Sequence, residues 1–137
     1  MTFSFEVNID HPLEIVYDAL ADMDQFVEHH PLIYAARVVS PGYYKIYERV
    51  RMGFIPYHFT YHAQILPDPV VQRITMKALL YRLISLEIVF FLSSHSSYTK
   101  VREEIIIQGP LLIARYLKKN LITAHLNMFE KIRNKKH

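Results

Sequence analysis

The sequence predicts an α+β domain, β-α-α-β6-α, in which a curved seven-stranded antiparallel sheet wraps a long C-terminal helix and leaves an internal cavity. Three observations predict it. After Gly109 and Pro110, an unbroken helical pattern runs from Leu111 to about Arg133. Before it, apolar and polar side chains alternate for about 75 residues, and a period of two belongs to strands. Ahead of both stand one further alternating segment and two short helical patterns, with no internal repeat and no linker.

The terminal helix organises the rest. Pro110 suits a first helical position, where its missing N–H would have been unpaired anyway. Ile113, Leu117, Leu121, Ala124, Met128 and Ile132 recur at three- and four-residue steps and share one face. Ile122 and Phe129 widen that face, the charged side chains lie away from it, and Leu126 alone points to the opposite side. Twenty-odd residues at about 1.5 Å each make a rod of roughly 35 Å, the length of a whole small domain.

In chain order, Phe3, Phe5, Val7 and Ile9 alternate with polar residues as a half-buried strand. Asp10-His11-Pro12 starts a short amphipathic helix through Leu13, Val16, Tyr17 and Leu20. Asp22, with Gln25 three residues on, resembles a capping box opening a second helix, Met23–His29, ended by Pro31. Six strands follow: Tyr34–Val39, Tyr43–Met52, Tyr57–Leu66, Val71–Leu79, Leu83–Leu92 and Tyr98–Gln108. Pro41-Gly42 suits the centre of a type II turn, and Pro67-Asp68-Pro69 and the serine-rich 93–97 stretch mark two others. The turn near residue 81 carries no Gly, Asn or Pro.

Consecutive strands with short turns form an antiparallel meander. Seven strands at about 4.8 Å give a sheet roughly 29 Å wide, whereas one helix is only about 10–12 Å across. A flat sheet would leave most of its apolar face uncovered. It has to curl around the helix, and the space between rod and sheet is the functional clue.

Composition sets bounds. The length of 137 residues fits a single domain, 1–137, with 134–137 as a basic, frayed tail. The net charge is +3, and seven of the sixteen Lys and Arg residues lie between Arg115 and Lys136. A solvated helix face explains that cluster without nucleic acid, since no aromatic–basic strand motif accompanies it. Zero cysteines excludes disulfides, thiolate metal sites and a cysteine nucleophile. No signal peptide is read at the N-terminus, and the most apolar run, Leu79–Leu92, is short and carries Arg82 and Glu87. The expectation is a soluble, cytoplasmic protein.

The chain resembles the START-like, or helix-grip, superfamily, also called SRPBCC. This family includes lipid-transfer START domains, plant pathogenesis-related allergens and polyketide cyclase/dehydrase-like proteins. The resemblance covers nearly the whole chain. It rests on the element order, on Pro12-Leu13-Glu14-Ile15-Val16-Tyr17-Asp18, Leu20-Ala21-Asp22 and His30-Pro31-Leu32-Ile33, and on the Gly-Pro opening and late Met-Phe of the last helix. It implies a hydrophobic cavity between sheet and C-terminal helix that holds an apolar small molecule. The superfamily contains both enzymes and pure binders, so fold alone does not separate them.

Familiar catalytic signatures are missing: no Gly-rich phosphate loop, no Gly-x-Ser-x-Gly, no His-Glu-x-x-His. His58 and His62 are four apart, which on a strand is about 13 Å, too far to share one ion. No metal or other cofactor is expected. His29 and His30 close the second helix, as caps, as exposed residues, or with His30 at the cavity mouth.

Two glutamates interrupt otherwise apolar faces: Glu48 among Tyr44, Ile46, Val50 and Met52, and Glu103 among Thr99, Val101, Ile105 and Ile107. Inward carboxylates are costly unless paired or protonated, so both are candidate functional groups. A helix-grip topology would set them facing each other across the cavity. A bulge, a neighbouring cation or the wet rim of the cavity would equally accommodate them. His125 borders the inner face of the last helix and is a candidate ligand donor or a satisfied core residue. The apolar turn Gly53-Phe54-Ile55-Pro56 either folds under the sheet edge or forms a sticky lip suited to a membrane.

The expected function is non-enzymatic binding of a hydrophobic small molecule or lipid, a role open to transport as well. The expected cavity residues are Phe59, Tyr61, Met76, Phe90, Ile105, Leu117, Leu121, His125 and Met128. Two alternatives stand beside it. One is a polyketide cyclase/dehydratase-like enzyme using Glu48 or Glu103 as general base. The other is a protein-interaction module whose cavity is filled by side chains. Transient membrane-surface contact is an expected partner interaction, and no particular protein partner is implied.

Overall fold

The computed structural model describes residues 1–52 and 54–135, with positions 51 and 52 described through their backbone. The strand β1 (Thr2–Ile9) leads into α1 (Leu13–Ala21) and α2 (Met23–His29). Six strands follow: β2 (Ile33–Ser40), β3 (Tyr43–Met52), β4 (Ile55–Asp68), β5 (Arg73–Leu80), β6 (Ile84–Ser94) and β7 (Thr99–Gln108). The chain then enters α3 (Leu111–Asn134). All seven strands join one antiparallel sheet in the order β1-β7-β6-β5-β4-β3-β2. The meander is as the alternation predicted, and β1 adds to its far edge by pairing with β7, Phe5 opposite Glu103.

Local chemistry explains the boundaries. Asp22 caps α2, its carboxylate accepting the N–H groups of Asp24 and Gln25 at 2.9 and 3.4 Å. Pro110 sits one position ahead of its expected place, as the residue flanking α3, and its carbonyl accepts the Ala114 N–H at 2.9 Å. Gly42 has φ +75°, as the second central residue of a type II turn requires. A Cβ there would lie 3.2 Å from the carbonyl oxygen of Ile65.

Two expectations are corrected. The turn expected at Pro67-Asp68-Pro69 lies later, because β4 continues to Asp68 and Pro67 pairs with Ile74. Val71, expected to start a strand, is instead exposed in the turn beside Val70. Helix α3 ends at Asn134, and the Lys135 ammonium lies 3.2 Å from the Glu28 carboxylate. Positions 136 and 137, like Gly53 in the apolar turn, lie outside the described residues.

The core fills where the C-terminal half of α3 meets the sheet. Met128, Phe129 and Ile132 are fully buried there with Ile9, Phe90, Ile105 and Ile107. Phe129 meets Phe5 and Phe90 edge-on, centroids 6.4 and 6.2 Å apart. Each such side chain contributes about 1.5–3 kcal/mol by leaving water. The N-terminal half of α3 carries exposed Leu111, Leu112 and Tyr116 instead.

Candidate functional site

Between α3 and β3–β6 lies a cavity of about 330 Å³. The helix contributes Ile113, Tyr116, Leu117, Asn120, Leu121, Ala124 and His125, a stripe at three- and four-residue steps. The sheet contributes every second residue: Glu48 and Val50 on β3, Tyr57, Phe59 and Tyr61 on β4, Met76, Ala78 and Leu80 on β5, and Ile84, Leu86 and Ile88 on β6. Phe26, His30, Leu32 and Ile33 close the end beneath α2.

Exposure separates a mouth from a closed end. Tyr81, Leu83 and Tyr116 are 51–60% exposed, and Ile113 is 37% exposed. At the other end, Phe26, Ile33, Ala124 and His125 are each 5% exposed or less. At the mouth the Tyr81 hydroxyl donates to that of Tyr57 at 3.1 Å, and the Tyr81 ring lies 5.9 Å from that of Phe59. Burial, then the Tyr57 hydrogen bond, push the Tyr81 phenol up to about 12. Tyr81 and Arg82 both have positive φ, 54° and 53°, and the Leu83 N–H bonds the Leu80 carbonyl at 3.0 Å. This is a type I′ turn built without glycine or asparagine, which is why the sequence pattern did not mark it.

The imidazoles and the carboxyl group of the wall lie towards the closed end. Glu48 accepts a 2.9 Å hydrogen bond from the Tyr61 hydroxyl. Burial raises the Glu48 carboxyl above its ordinary range, opposed by the Tyr61 bond and by the nearby His125. Burial and Glu48 together raise the Tyr61 phenol well above its ordinary value. His125 directs Nδ1 at Glu103 Oε2, 2.5 Å away and itself fully buried. A carboxylate oxygen facing a ring nitrogen acts as the acceptor, and the ring N–H is its donor. The shared proton therefore sits on Nδ1. The second oxygen, Oε1 of Glu103, is buried and meets no hydrogen-bond partner among the described residues.

His30 is fixed differently. Its Nδ1 accepts the backbone N–H groups of Leu32 and Ile33 at 3.1 and 3.0 Å. That geometry imitates an Asx turn and leaves Nε2 to carry the proton. Burial first, then the charges of His125 and Lys131, bring His30 down to about 2, so the ring stays neutral. Its centroid is 5.5 Å from that of His125, planes at 84°.

Of the residues expected to line the cavity, Phe59, Tyr61, Met76, Leu117, Leu121 and His125 do. Phe90, Ile105 and Met128 do not. They have the inward parity but lie further along, where helix and sheet touch and each is at most 1% exposed. Glu48 is on the wall, whereas Glu103 stands behind His125 and is not. The two carboxylates do not form a facing pair, because each has its own partner, Tyr61 for Glu48 and His125 for Glu103. His30 belongs to the closed end and not to the mouth or to solvent. Its signal, His-Pro after a helix, speaks of a cap and says nothing of depth. Ile113, Tyr116, Asn120, Val50, Ala78 and Leu86 could have been found by continuing the periodicities already in hand. His58 and His62 are exposed, near the rings of Tyr34 and Tyr43. Phe54 and Ile55 are exposed as well, so the apolar turn does not fold under the sheet. Among the described residues, no group of three or more potential ligands could hold a metal ion, and no helix is long and apolar enough to cross a membrane.

No family model matches the sequence, and no curated protein matches it. Solved structures do. The chain is similar to the di-domain ARO/CYC protein BexL of the BE-7585A biosynthetic pathway, with a TM-score of 0.79 at 15% identity. That match covers 96% of this chain and 46% of BexL, so the chain spans about half its length. It is similar to Ara h 8.0201 with a TM-score of 0.77 at 16% identity, covering 97% of this chain and 95% of the other. For a START superfamily protein from Mycobacterium smegmatis the TM-score is 0.77 at 10% identity, with 96% of each chain covered. With the cavity placed between a curved antiparallel sheet and a C-terminal helix, the fold of this chain is the START-like helix-grip fold.

Proposed function

We propose that this chain, acting as a single domain, binds and carries a hydrophobic small molecule in the cavity between α3 and β3–β6. One observation carries the reading: a largely apolar space of about 330 Å³ with an exposed mouth of leucine, isoleucine and tyrosine side chains, and with its imidazoles and carboxyl group towards the closed end. Small-molecule sites have this character, and the volume lies at the small end of their usual range of about 300–1,000 Å³. That favours a compact ligand over a two-chain lipid. A filled interior, which the interaction-module reading required, does not fit this space.

The mouth supports transient contact with a membrane surface. Leu111, Leu112, Phe54 and Ile55 are exposed in addition to the rim residues, and Arg82 and Arg115 are exposed there too. Apolar side chains with interspersed cations suit an anionic lipid surface. The proposed setting is the cytoplasm, in keeping with a chain without cysteine.

A second reading, an enzyme of the polyketide cyclase/dehydratase kind, has its own support. Glu48 on the wall is held towards its protonated form by burial, and His125 is oriented by Glu103. Such groups suit proton transfer. Mass spectrometry of the freshly purified protein, native against denaturing, tests the binding reading. A mass lost on denaturation supports it and gives a formula. A bare protein whose melting temperature no lipid or aromatic polyketide raises would sink it. If Glu48→Gln and Glu103→Gln leave any turnover of a bound polyketide unchanged, the enzymatic reading fails.

A further inference from the structure

We infer that the closed end of the cavity reads a hydroxyl group, so that the ligand is an apolar alcohol or phenol and not a hydrocarbon or a carboxylic acid. The inference rests on the binding reading above and names the chemical class which that site would take.

Two imidazoles carry it. Both His30 and His125 are on the cavity wall, and both have Nδ1 engaged by the protein. Nε2 is therefore what each ring has to offer the cavity. On His30 that nitrogen is a donor, since two backbone N–H groups occupy the lone pair of Nδ1. On His125, with the proton on Nδ1 towards Glu103, Nε2 is the ring's acceptor.

With the rings 5.5 Å apart and nearly perpendicular, and both on the wall of one cavity, the site has a fixed donor and an acceptor on neighbouring side chains. A hydroxyl completes both, accepting from His30 and donating to His125. A methyl group completes neither, and buried polar groups left unpaired weaken binding strongly. A carboxylate would bring a further acid to a region that already holds Glu48 on the wall and Glu103 behind His125. Glu48 Oε1 is already occupied by the Tyr61 hydroxyl.

Three bicyclic probes that differ in one substituent test this by calorimetry at pH 7.5: 2-naphthol, 2-methylnaphthalene and 2-naphthoic acid. The expected order puts 2-naphthol at least tenfold tighter than 2-methylnaphthalene, with 2-naphthoate weakest. His30→Asn, which keeps an acceptor for the Leu32 and Ile33 N–H groups but removes the Nε2 donor, is expected to erase most of that preference. Equal affinities for the hydroxyl and methyl probes, or tightest binding of the acid, would overturn the hydroxyl inference and leave the binding reading standing. No binding of any probe would instead count against the cavity as a small-molecule site, and both would fall. The wild-type comparison needs no variant, so a folding failure of His30→Asn does not decide the matter.

Discussion

His125 on α3 and Glu103 on β7 join helix to sheet where the cavity ends and the solid core begins, with Nδ1 and Oε2 2.5 Å apart and both side chains at most 2% exposed. A buried pair of this kind is costly to split and inexpensive to replace. His125→Leu or Glu103→Met alone is expected to destabilise by roughly 3–5 kcal/mol, because each strands a buried partner. The double variant, similar in volume and apolar throughout, is expected to recover most of that loss. Urea unfolding of the four proteins checks it, and additive single losses would contradict the coupling.

Acid should weaken the fold through His30. Its ordinary value of about 6.5 applies to the unfolded chain, while the folded ring is brought down to about 2. Between these values the unfolded chain binds a proton that the folded chain does not, so the contribution is full above about 6.5 and is lost as pH falls. By pH 5 the loss from this group is about 2 kcal/mol. Stability measured from pH 7.5 to 5 should fall less steeply in His30→Asn than in the wild type. Parallel profiles would assign the acid sensitivity elsewhere.

Ala124 lies on the cavity wall and is 5% exposed, so Ala124→Leu adds carbon to the space and not to solvent. Filling it should raise stability by about 1 kcal/mol, or roughly 3–5 °C in melting temperature. The same change should weaken 2-naphthol at least tenfold. A variant that gains stability and keeps full affinity would place the ligand elsewhere.

The turn after β5 holds Arg82 at φ 53°, a conformation costing a side chain roughly 1–2 kcal/mol that glycine avoids. Arg82→Gly is therefore expected to stabilise by about 1 kcal/mol by thermal unfolding. A loss would show that the arginine side chain makes up for its backbone.

Periodicity made the fold legible. The alternation of β3 placed Glu48 inward beside Ile46, that of β7 placed Glu103 inward between Val101 and Ile105, and both are so placed. Which inward residues face space and which face other side chains was not legible. Met76 and Ile74 share one face of β5, yet only Met76 lines the main cavity. The difference is set by how far along the strand the helix touches down. That distance depends on sheet curvature, which no local pattern encodes. The partners of the two carboxylates, Tyr61 and His125, were candidates individually, and only the tertiary register joined them.

The uneven seating of α3 means that one helix has two stabilities. Past Ala124 its inward side chains are locked in the core, and their amide protons should exchange with solvent only when the whole protein unfolds. The turns from Leu111 to Leu121 roof the cavity and bury little besides Ala114. A helical segment this short is marginal by itself. Its amides should exchange through local unwinding, far faster than the rest of the helix. A bound ligand would supply the missing packing and slow them. The roof of the pocket is then also its door, and it opens by fraying from one end, with no separate lid required.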